Sequence, residues 1–305
     1  MITSIGEILV DIFIDNNQKT VLPGGAPFNL ACNISSFGGK VFFYGAIGND
    51  EEGKLLTNFI NSKHISTRID ILQNRQTTEA LVELINGERS FKFVRDLGAD
   101  YCLNVSNIQN ESILNSNIIH LGSLMLSKRK GRIFFFEACE YIHNNLKAKL
   151  SFDVNYRDDI FTSEDEAKKI FVEAIKQADI IKFTSEELEL LSGEKDIRSA
   201  LKSLLNEKQI AVVTLGEEGS IFYSNNKYIH VPTFKLKPVD TTGAGDAFYS
   251  YFLYELDKGL DINNDDEIIS CLTKANVVGG LATQKKGAID VVPTLEEIHN
   301  FLNNN

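Results

Sequence analysis

Apolar and polar positions along this chain follow two kinds of pattern. Short apolar runs predict buried strands, and longer segments with an apolar residue at every third or fourth position predict amphipathic helices. Strands are predicted over residues 2–13, 41–46, 118–121, 150–153, 180–183 and 211–214, and helices over residues 27–37, 51–62, 130–145, 163–177 and 265–281 and directly after residue 245. Because strands separated by helices form parallel βαβ units, the pattern predicts an α/β fold with a doubly wound, mostly parallel sheet.

One stretch departs from this alternation. Residues 78–85 and 90–95 alternate around Asn86-Gly87, a dipeptide typical of β-hairpin turns, and a second hairpin is predicted around residues 224–226. The first hairpin does not fit a parallel sheet, so we expect it to belong to a small separate sheet. No linker, internal repeat or low-complexity tract interrupts the chain, and we expect one domain over residues 1–305.

Composition narrows the classes of function. The formal net charge is -11 and the pI is near 5.0, which argues against nucleic acid as a partner because a phosphate backbone needs a basic footprint. The four cysteines lie far apart without a CxxC pair, so neither a zinc site nor a disulfide framework is predicted. The amino-terminal residues alternate apolar side chains with Glu7 and Asp11, unlike a signal peptide or a membrane span, so we expect a cytoplasmic protein.

The most informative string is D-T-T-G-A-G-D at residues 240–246, which an apolar helix follows. Gly243, Ala244 and Gly245 allow a ligand to approach the backbone, and the unpaired amides of a helix start favour negative charge. A carboxylate beside such an anion hole, here Asp246, can accept the proton of an attacking hydroxyl. The alternative is an ordinary helix start with an acid in its first turn, which is common for dipole reasons alone.

A second string, G-G-A-P-F-N-L-A at residues 24–31, suits the recognition of a sugar. Gly24 and Gly25 permit close approach of backbone amides, and Asn29 offers both a donor and acceptors to hydroxyl groups. The alternative is a glycine turn that leads into a buried helix.

Together with Gly38 and Gly48 at their spacings, the two strings resemble the two signatures of the PfkB, or ribokinase-like, family of sugar kinases. The resemblance implies a ribokinase-like three-layer sandwich with a small β-sheet lid over the sugar. The lid strands would lie within residues 10–22 and 69–97. In many members such strands pair across a dimer, so the resemblance also implies a homodimer.

The resemblance implies a role for individual residues as well. Asp246 would be the general base, and Gly243, Ala244 and Gly245 would hold the γ-phosphate of ATP. The substrate-binding residues would be Asp11, Gly24, Gly25, Asn29, Arg95, Asn155 and Arg157. The nucleotide-binding residues would be Thr184, Glu187, Thr214, Gly216, Gly219 and Asn276, and Glu187 would also hold Mg²⁺ through water. A monovalent cation, K⁺, would be bound by Asp240, Thr242, Ala282, Lys285 and Gly287.

Several of these residues also have a plainer interpretation. The pattern puts Asp11 at the end of the first strand, where an acid without a ligand is ordinary. Asn155 and Arg157 suit a solvated loop as well as a binding crevice. The glycine turn after Thr214 is consistent with a plain hairpin, and Asn276 with a surface amide on a helix.

The chain departs from the family pattern at three positions. Thr184 replaces the Asn of the family's N-x-x-E motif, a replacement that many fructokinase-like members share. Tyr251 stands where the second signature usually has Gly or Ala, which implies local repacking. Val291 supplies no side-chain oxygen where ribokinases have Ser in their cation loop.

A further string matches only the beginning of a phosphate-binding loop. Residues 48–54 fit G-x-x-x-x-G-K, but Leu55 follows where a Walker A motif needs a hydroxyl for Mg²⁺. Three consecutive acids at positions 50–52 would also repel a phosphate. We therefore interpret this string as a structural turn and a helix start.

The substrate expectation rests on local strings. Ala-Pro-Phe-Asn after the glycine pair, Asp-x-Asn-x-Arg at 153–157 and Lys-Gly-Ala-Ile at 286–289 are similar to those of fructokinases. We therefore expect an ATP-dependent kinase that converts fructose to fructose 6-phosphate. The alternatives are a 2-keto-3-deoxygluconate kinase, another sugar or nucleoside kinase of the family, or a sugar-sensing protein without catalysis.

Overall fold

The computed structural model describes residues 1–15, 18–63, 65–85, 88–285 and 287–304. The strands are β1 (Ile2–Ile5), β2 (Leu9–Asp15), β3 (Gln18–Gly24), β4 (Val41–Gly48), β5 (Ser66–Leu72), β6 (Glu79–Ile85), β7 (Glu88–Val94), β8 (Ile118–Leu121), β9 (Lys149–Asp153), β10 (Ile180–Thr184), β11 (Ile210–Thr214), β12 (Ser220–Ser224) and β13 (Lys227–Val231). The helices are α1 (Ala26–Ser36), α2 (Glu51–Asn61), α3 (Glu111–Leu114), α4 (Arg129–Asn145), α5 (Glu164–Gln177), α6 (Ser185–Ser192), α7 (Ile197–Leu204), α8 (Ala244–Asp257), α9 (Asp265–Ala282) and α10 (Leu295–Asn303). The predicted Asn86-Gly87 turn and Lys286 of the fructokinase-like string lie outside the described residues.

A nine-stranded sheet forms the centre of the fold in the order β13-β12-β11-β10-β9-β8-β1-β4-β5. The seven strands from β5 to β11 in this order are parallel, and β12 and β13 continue the sheet antiparallel at one edge. The predicted doubly wound, mostly parallel sheet is therefore confirmed. In the turn between β12 and β13, Asn225 and Asn226 have φ of 47° and 62°, a left-handed conformation that Asn tolerates well.

Two apolar layers cover this sheet. One cluster joins the sheet to α1, α2, α8, α9 and α10, and the other joins it to α3, α4, α5, α6 and α7. Successive strand residues serve opposite layers: in β10, Ile180 packs in the first cluster, whereas Ile181 and Phe183 pack in the second. Strands that are buried on both faces read as continuous apolar runs, which is why the sequence indicated them clearly.

The predicted strand over residues 2–13 is wrong as a single element. It divides near Gly6, whose φ is 154°, and its two halves enter different sheets. β1 pairs with β4 and β8, whereas β2 pairs with β3 and β6. Both halves are buried, so hydrophobicity alone could not reveal the break. Asp11 consequently lies inside β2 and not at the end of the first strand.

A small sheet has the order β3-β2-β6-β7, with β2 and β6 parallel and the outer pairs antiparallel. All four strands come from residues 9–24 and 79–94. The neighbouring strand Ser66–Leu72 does not join them, because it pairs with β4 at the edge of the large sheet.

Four helices were missed by the hydrophobic pattern, namely α3, α6, α7 and α10. Two of them begin with a capping box, a signal that the sequence carries: Thr184 with Glu187 at α6, and Thr294 with Glu297 at α10. No helix within the described ranges is both long enough and apolar enough to span a membrane.

Candidate active site

The candidate site lies where the carboxyl ends of the central parallel strands meet. β1 is flanked by β4 on one side and by β8 on the other, so the chain connections leave the sheet in opposite directions at this point. Such a switch point opens a crevice beyond the strand ends, which is where ligands bind in open α/β sheets. The two signature strings converge there through α1 and α8, which pack against each other.

The start of α8 has the features of an anion hole. Gly243 is the residue before the helix, and its φ of 75° is one that residues with a Cβ rarely adopt. A Cβ at this position would also lie 2.7 Å from the Cβ of Ala288. No side chain in the described part of the chain caps the helix start. The amide of Ala244 donates to the carbonyl oxygen of Thr241 at 3.3 Å, which leaves the amides of Gly245 and Asp246 available to a ligand.

Asp246 lies in the first turn of α8 and is held by a residue of the string 24–31. The side-chain amide of Asn29 donates to Asp246 Oδ2 at 2.8 Å, although the two residues are 217 positions apart. Burial raises the pKa of Asp246, while the bond from Asn29 and the charges of Lys182 and Arg157 act in the opposite direction. A raised pKa makes this carboxylate a stronger base.

The glycine pair at the start of α1 is required by the packing around it. A Cβ on Gly24 would overlap the carboxylate of Asp11, and a Cβ on Gly25 would lie 2.5 Å from the carbonyl oxygen of Glu7. The pair therefore lets β3 and α1 close directly onto β2 and onto the segment between β1 and β2. Asp11 is brought against the start of α1, although its backbone belongs to the small sheet.

Arg95 is largely committed to protein partners. Its guanidinium donates to Asp100, to the hydroxyl of Ser127 and, at 3.2 Å, to the carbonyl oxygen of Leu124. The atom Nε is buried and has no partner among the described residues. A role in substrate binding, which remains a prediction, would therefore fall to Nε.

Two further buried atoms near the crevice lack a hydrogen-bond partner within the described ranges, Asn29 Oδ1 and Glu7 Oε2. Buried polar atoms are rarely left unsatisfied, so Asn29 Oδ1 is suited to accept a hydroxyl of a bound ligand. Glu7 was not singled out from the sequence. Burial raises its pKa to about 8, which makes it a neutral acid at neutral pH.

Asn155 and Arg157 follow β9 into the same crevice. Asn155 has a φ of 40°, a conformation that Asn adopts more readily than most residues. Arg157 Nη1 donates to the carbonyl oxygen of Tyr156 at 3.1 Å, and its charge lowers the pKa of Asp246. The loop after β9 thus presents a cation towards the base.

Thr184 and Glu187 form the capping box of α6. Thr184 Oγ1 accepts from the amide of Glu187 at 3.2 Å, and Glu187 Oε2 accepts from the amide of Thr184 at 2.8 Å. The other oxygen, Oε1, accepts from the amide of Tyr156 at 2.8 Å. With both oxygens bound to backbone amides, Glu187 ties α6 to the loop after β9.

The other predicted nucleotide-binding residues lie near the antiparallel edge of the large sheet. Thr214 ends β11 beside Thr184, and the turn from Gly216 to Gly219 follows it. Asn276 is buried on α9, where its amide donates to the carbonyl oxygen of Val231 at 3.1 Å. Its amide group thus fastens the end of β13 to α9.

The predicted K⁺ residues lie on two loops that Asp240 joins. Asp240 Oδ1 accepts from the amide of Thr242 at 2.8 Å, and Oδ2 accepts from the amide of Gly287 at 2.9 Å. Ala282 and Lys285 belong to the same turn, with the amide of Lys285 donating to the carbonyl oxygen of Ala282 at 3.3 Å. The loop before the anion hole and the loop after α9 are thus held together.

Sequence reasoning missed an ion pair beneath the anion hole. Lys182 Nζ lies 2.9 Å from Asp153 Oδ1, and both side chains are almost fully buried. The signal was present, since a lysine interrupts the apolar run of β10, I-I-K-F-T. Lysine is seldom fully buried without a partner, so its position predicts a specific role.

Comparison with known proteins identifies the family. A model for the pfkB family carbohydrate kinase matches residues 2–295. The chain belongs to the pfkB family of carbohydrate kinases. The resemblance based on the two signature strings is thus confirmed, and the four-stranded sheet, the crevice and the start of α8 can be interpreted within this family.

Individual relatives cover the whole chain. A probable fructokinase-2 of Arabidopsis thaliana is 34% identical over an alignment of 316 positions, which covers 99% of this chain and 95% of that protein. A double mutant of the fructokinase of Vibrio cholerae O395, solved with fructose, ADP and a potassium ion, has a TM-score of 0.90 at 30% identity and covers 99% of this chain and 97% of its own. The fructokinase of Xylella fastidiosa, solved with bound ATP, has a TM-score of 0.91 at 28% identity, with 99% and 98% covered.

Proposed function

We propose that this protein is an ATP-dependent fructokinase that transfers the γ-phosphoryl group of ATP to the 6-hydroxyl of fructose. The observation that carries the proposal is the hydrogen bond of 2.8 Å between Asn29 and Asp246. It joins the sugar-side string to the base at the uncapped start of α8. Fructokinases at 30–34% identity along the entire chain support fructose as the acceptor.

The geometry supports an in-line transfer. Asn29 holds Asp246 Oδ2, and the carboxylate accepts the proton of the 6-hydroxyl as its oxygen bonds to the γ-phosphorus. The bond between the γ-phosphorus and the β–γ bridging oxygen breaks, and ADP leaves with that oxygen. The amides of the turn from Gly243 to Gly245 stabilise the charge on the transferred group.

The residues present fit the two cations of the proposal, because oxygen atoms are the donors that both prefer. Glu187 would reach Mg²⁺ through water, since both its oxygens accept backbone amides. When bound, Mg²⁺ neutralises charge on the β- and γ-phosphate oxygens. Asp240 and Thr242, with carbonyl groups of Ala282, Lys285 and Gly287, would hold K⁺ beside the anion hole.

The contacts of Arg95 favour a neutral sugar over 2-keto-3-deoxygluconate. That substrate carries a carboxylate, which needs a cation with free donors near the small sheet. Both terminal nitrogens of Arg95 already donate to protein groups, and Asp100 neutralises its charge.

The small sheet is proposed to act as a lid and to pair with a second copy of the chain. Ile14 and Val94 on this sheet are 56% and 45% exposed, and pairing with a second copy would remove apolar surface of this sheet from water. Light scattering of the purified protein tests the dimer, and a monomer at micromolar concentration would reject it. A cytoplasmic location is part of the same proposal.

The function is tested by ADP release from ATP over a panel of acceptors. The panel contains fructose, ribose, 2-keto-3-deoxygluconate, aminoimidazole riboside and adenosine, each with and without K⁺. We expect the largest kcat/KM with fructose and a higher rate with K⁺. If the protein phosphorylates only another acceptor, that acceptor replaces fructose as the proposed substrate. If it binds ATP and fructose but phosphorylates no acceptor, the result supports a sugar sensor.

A further inference from the structure

The ion pair of Lys182 and Asp153 lies on the face of the large sheet that α8 covers. The two residues are direct neighbours in the register of β10 and β9. Ile180, on the same face of β10 as Lys182, packs with α8 and α9. The side chains of Lys182 and Asp153 are 5% and 6% exposed, so the pair is removed from solvent at the edge where the crevice opens.

Lys182 lies directly behind the anion hole. A Cβ built on Gly245 would lie 3.3 Å from Lys182 Cε and 3.5 Å from Lys182 Nζ. The ammonium group therefore approaches the backbone of the turn that the proposed function assigns to the γ-phosphate. Gly245 is the residue that permits this approach, because a side chain there would meet the lysine.

The surroundings of Lys182 are acidic. Burial lowers the pKa of Lys182, but the nearby carboxylates of Asp153, Glu187 and Asp246 outweigh this effect and raise the pKa above its ordinary value. Lys182 is thus a charged ammonium at neutral pH. Three carboxylates beside a site for a polyphosphate would repel it, and Lys182 is a buried cation that lies among them.

We propose that Lys182 is a positioning residue whose fixed positive charge behind Gly245 attracts the γ-phosphoryl group and offsets the surrounding carboxylates. This inference rests on the proposed kinase function. A charge that is already oriented and desolvated needs no rearrangement as negative charge develops on the transferred group. Asp153 anchors the ammonium so that it remains behind the turn.

The competing explanation is an ion pair that only stabilises the sheet. A double variant separates the two. Lys182→Met leaves Asp153 charged, buried and unpaired, so the single variant loses stability whichever explanation is correct. Adding Asp153→Asn removes that unpaired charge, so the double variant regains much of the lost stability, whereas the positive charge behind Gly245 remains absent.

We expect the double variant to fold, to keep its KM for fructose within about threefold, and to lose on the order of 10²-fold in kcat. Recovery of kcat to within about threefold of Asp153→Asn alone would overturn the proposal. Ser151→Ala is a matched control on the same sheet face, because it removes buried hydrogen bonds to Tyr249 and His120 and leaves the ion pair in place. This control is expected to lower stability and to retain kcat.

Nucleotide binding gives a readout that does not depend on the sugar. The double variant should lose more affinity for a non-hydrolysable ATP analogue than for ADP, because only the analogue carries a γ-phosphate. An equal change for both nucleotides, or no change, would overturn the role of Lys182. If the unmodified protein phosphorylates none of the sugars, the proposed function fails, and this measurement still decides the role of Lys182.

Discussion

Two helix starts in this protein look alike in sequence and differ in structure. The first, at α2, lies within the string of residues 48–54 that begins like a phosphate-binding loop; the second, at α8, lies within the string of residues 240–246. At α2, Asp50 Oδ1 accepts from the amide of Gly53 at 2.8 Å, and Asp50 Oδ2 accepts from the amide of Thr77 at 2.7 Å. At α8 no side chain of the described residues caps the helix.

The difference shows what makes a helix start a ligand site. At α2 the carboxylate of Asp50 occupies the position that an anion would take, and its negative charge would repel a phosphate. At α8 the carboxylate of Asp246 is held by Asn29 and does not cap the helix, which leaves the amides of Gly245 and Asp246 available. The interpretation of residues 48–54 as a structural turn is consistent with these contacts.

The largest difference between the two helix starts should appear when Asp246 and Asp50 are substituted. Asp246→Asn should lower kcat about 10³-fold and leave the affinity for ATP nearly intact, because only the proton acceptor is lost. Asp50→Ala should retain kcat and cost about 1–2 kcal/mol of unfolding free energy, since it removes a helix cap. Steady-state kinetics and urea denaturation of both variants provide the check. Substantial residual turnover in Asp246→Asn would contradict the assignment of the base.

Substitutions of one glycine at each helix start should separate an effect on activity from an effect on stability. Gly245→Ala should lower kcat by up to about 10²-fold, because the new methyl group displaces Lys182 and the turn that holds the phosphate. A Cβ on Gly53 would instead overlap the carbonyl oxygen of Gly48, so Gly53→Ala should cost about 1–3 kcal/mol of stability. The prediction fails if Gly245→Ala turns over at the rate of the unmodified protein.

The pH dependence of stability should distinguish the two helix starts as well. Near α8, burial raises the pKa of Glu7 to about 8 beside Asp100, Arg95 and Asp246. The native state therefore retains a proton that the unfolded chain releases near pH 4.5, and stability falls as pH rises from there through about 8. Glu7→Gln should flatten this fall, which is at most about 1.4 kcal/mol per pH unit.

Asp50 provides the opposite case. Burial raises the pKa of Asp50, but hydrogen bonds from Thr77 and Gly53 outweigh this effect and hold the pKa below its ordinary value. The stability that Asp50 contributes is present at a pH above its pKa in the unfolded chain and is lost as the solution becomes more acidic. Urea denaturation at pH 5, 6, 7 and 8 should therefore show a flatter profile for Glu7→Gln and a nearly parallel, lower profile for Asp50→Ala. Parallel profiles for Glu7→Gln and the unmodified protein would refute the role of Glu7.

The helices and strands of the large sheet were largely predictable because each is encoded within about ten residues. Ser163 and Asn264, for example, cap α5 and α9 at the predicted starts. The break near Gly6 was not predictable, since both halves of the run are buried and periodicity does not tell one sheet from another. Arg95 illustrates the same limit in the site: the sequence could not show that Asp100 and Ser127 bind its guanidinium.

The sequence by itself determined the family, the reaction type and the residues of the two signature strings, because a tight turn, an uncapped helix start and an adjacent acid are local properties of the backbone. Only the tertiary structure decided which groups surround them. Asn29 meets Asp246 across 217 positions, and Lys182 reaches Gly245 from a different strand. Charge, burial and pKa depend on such distant neighbours, so the electrostatics of the site emerge only when the sheet and α8 have packed together.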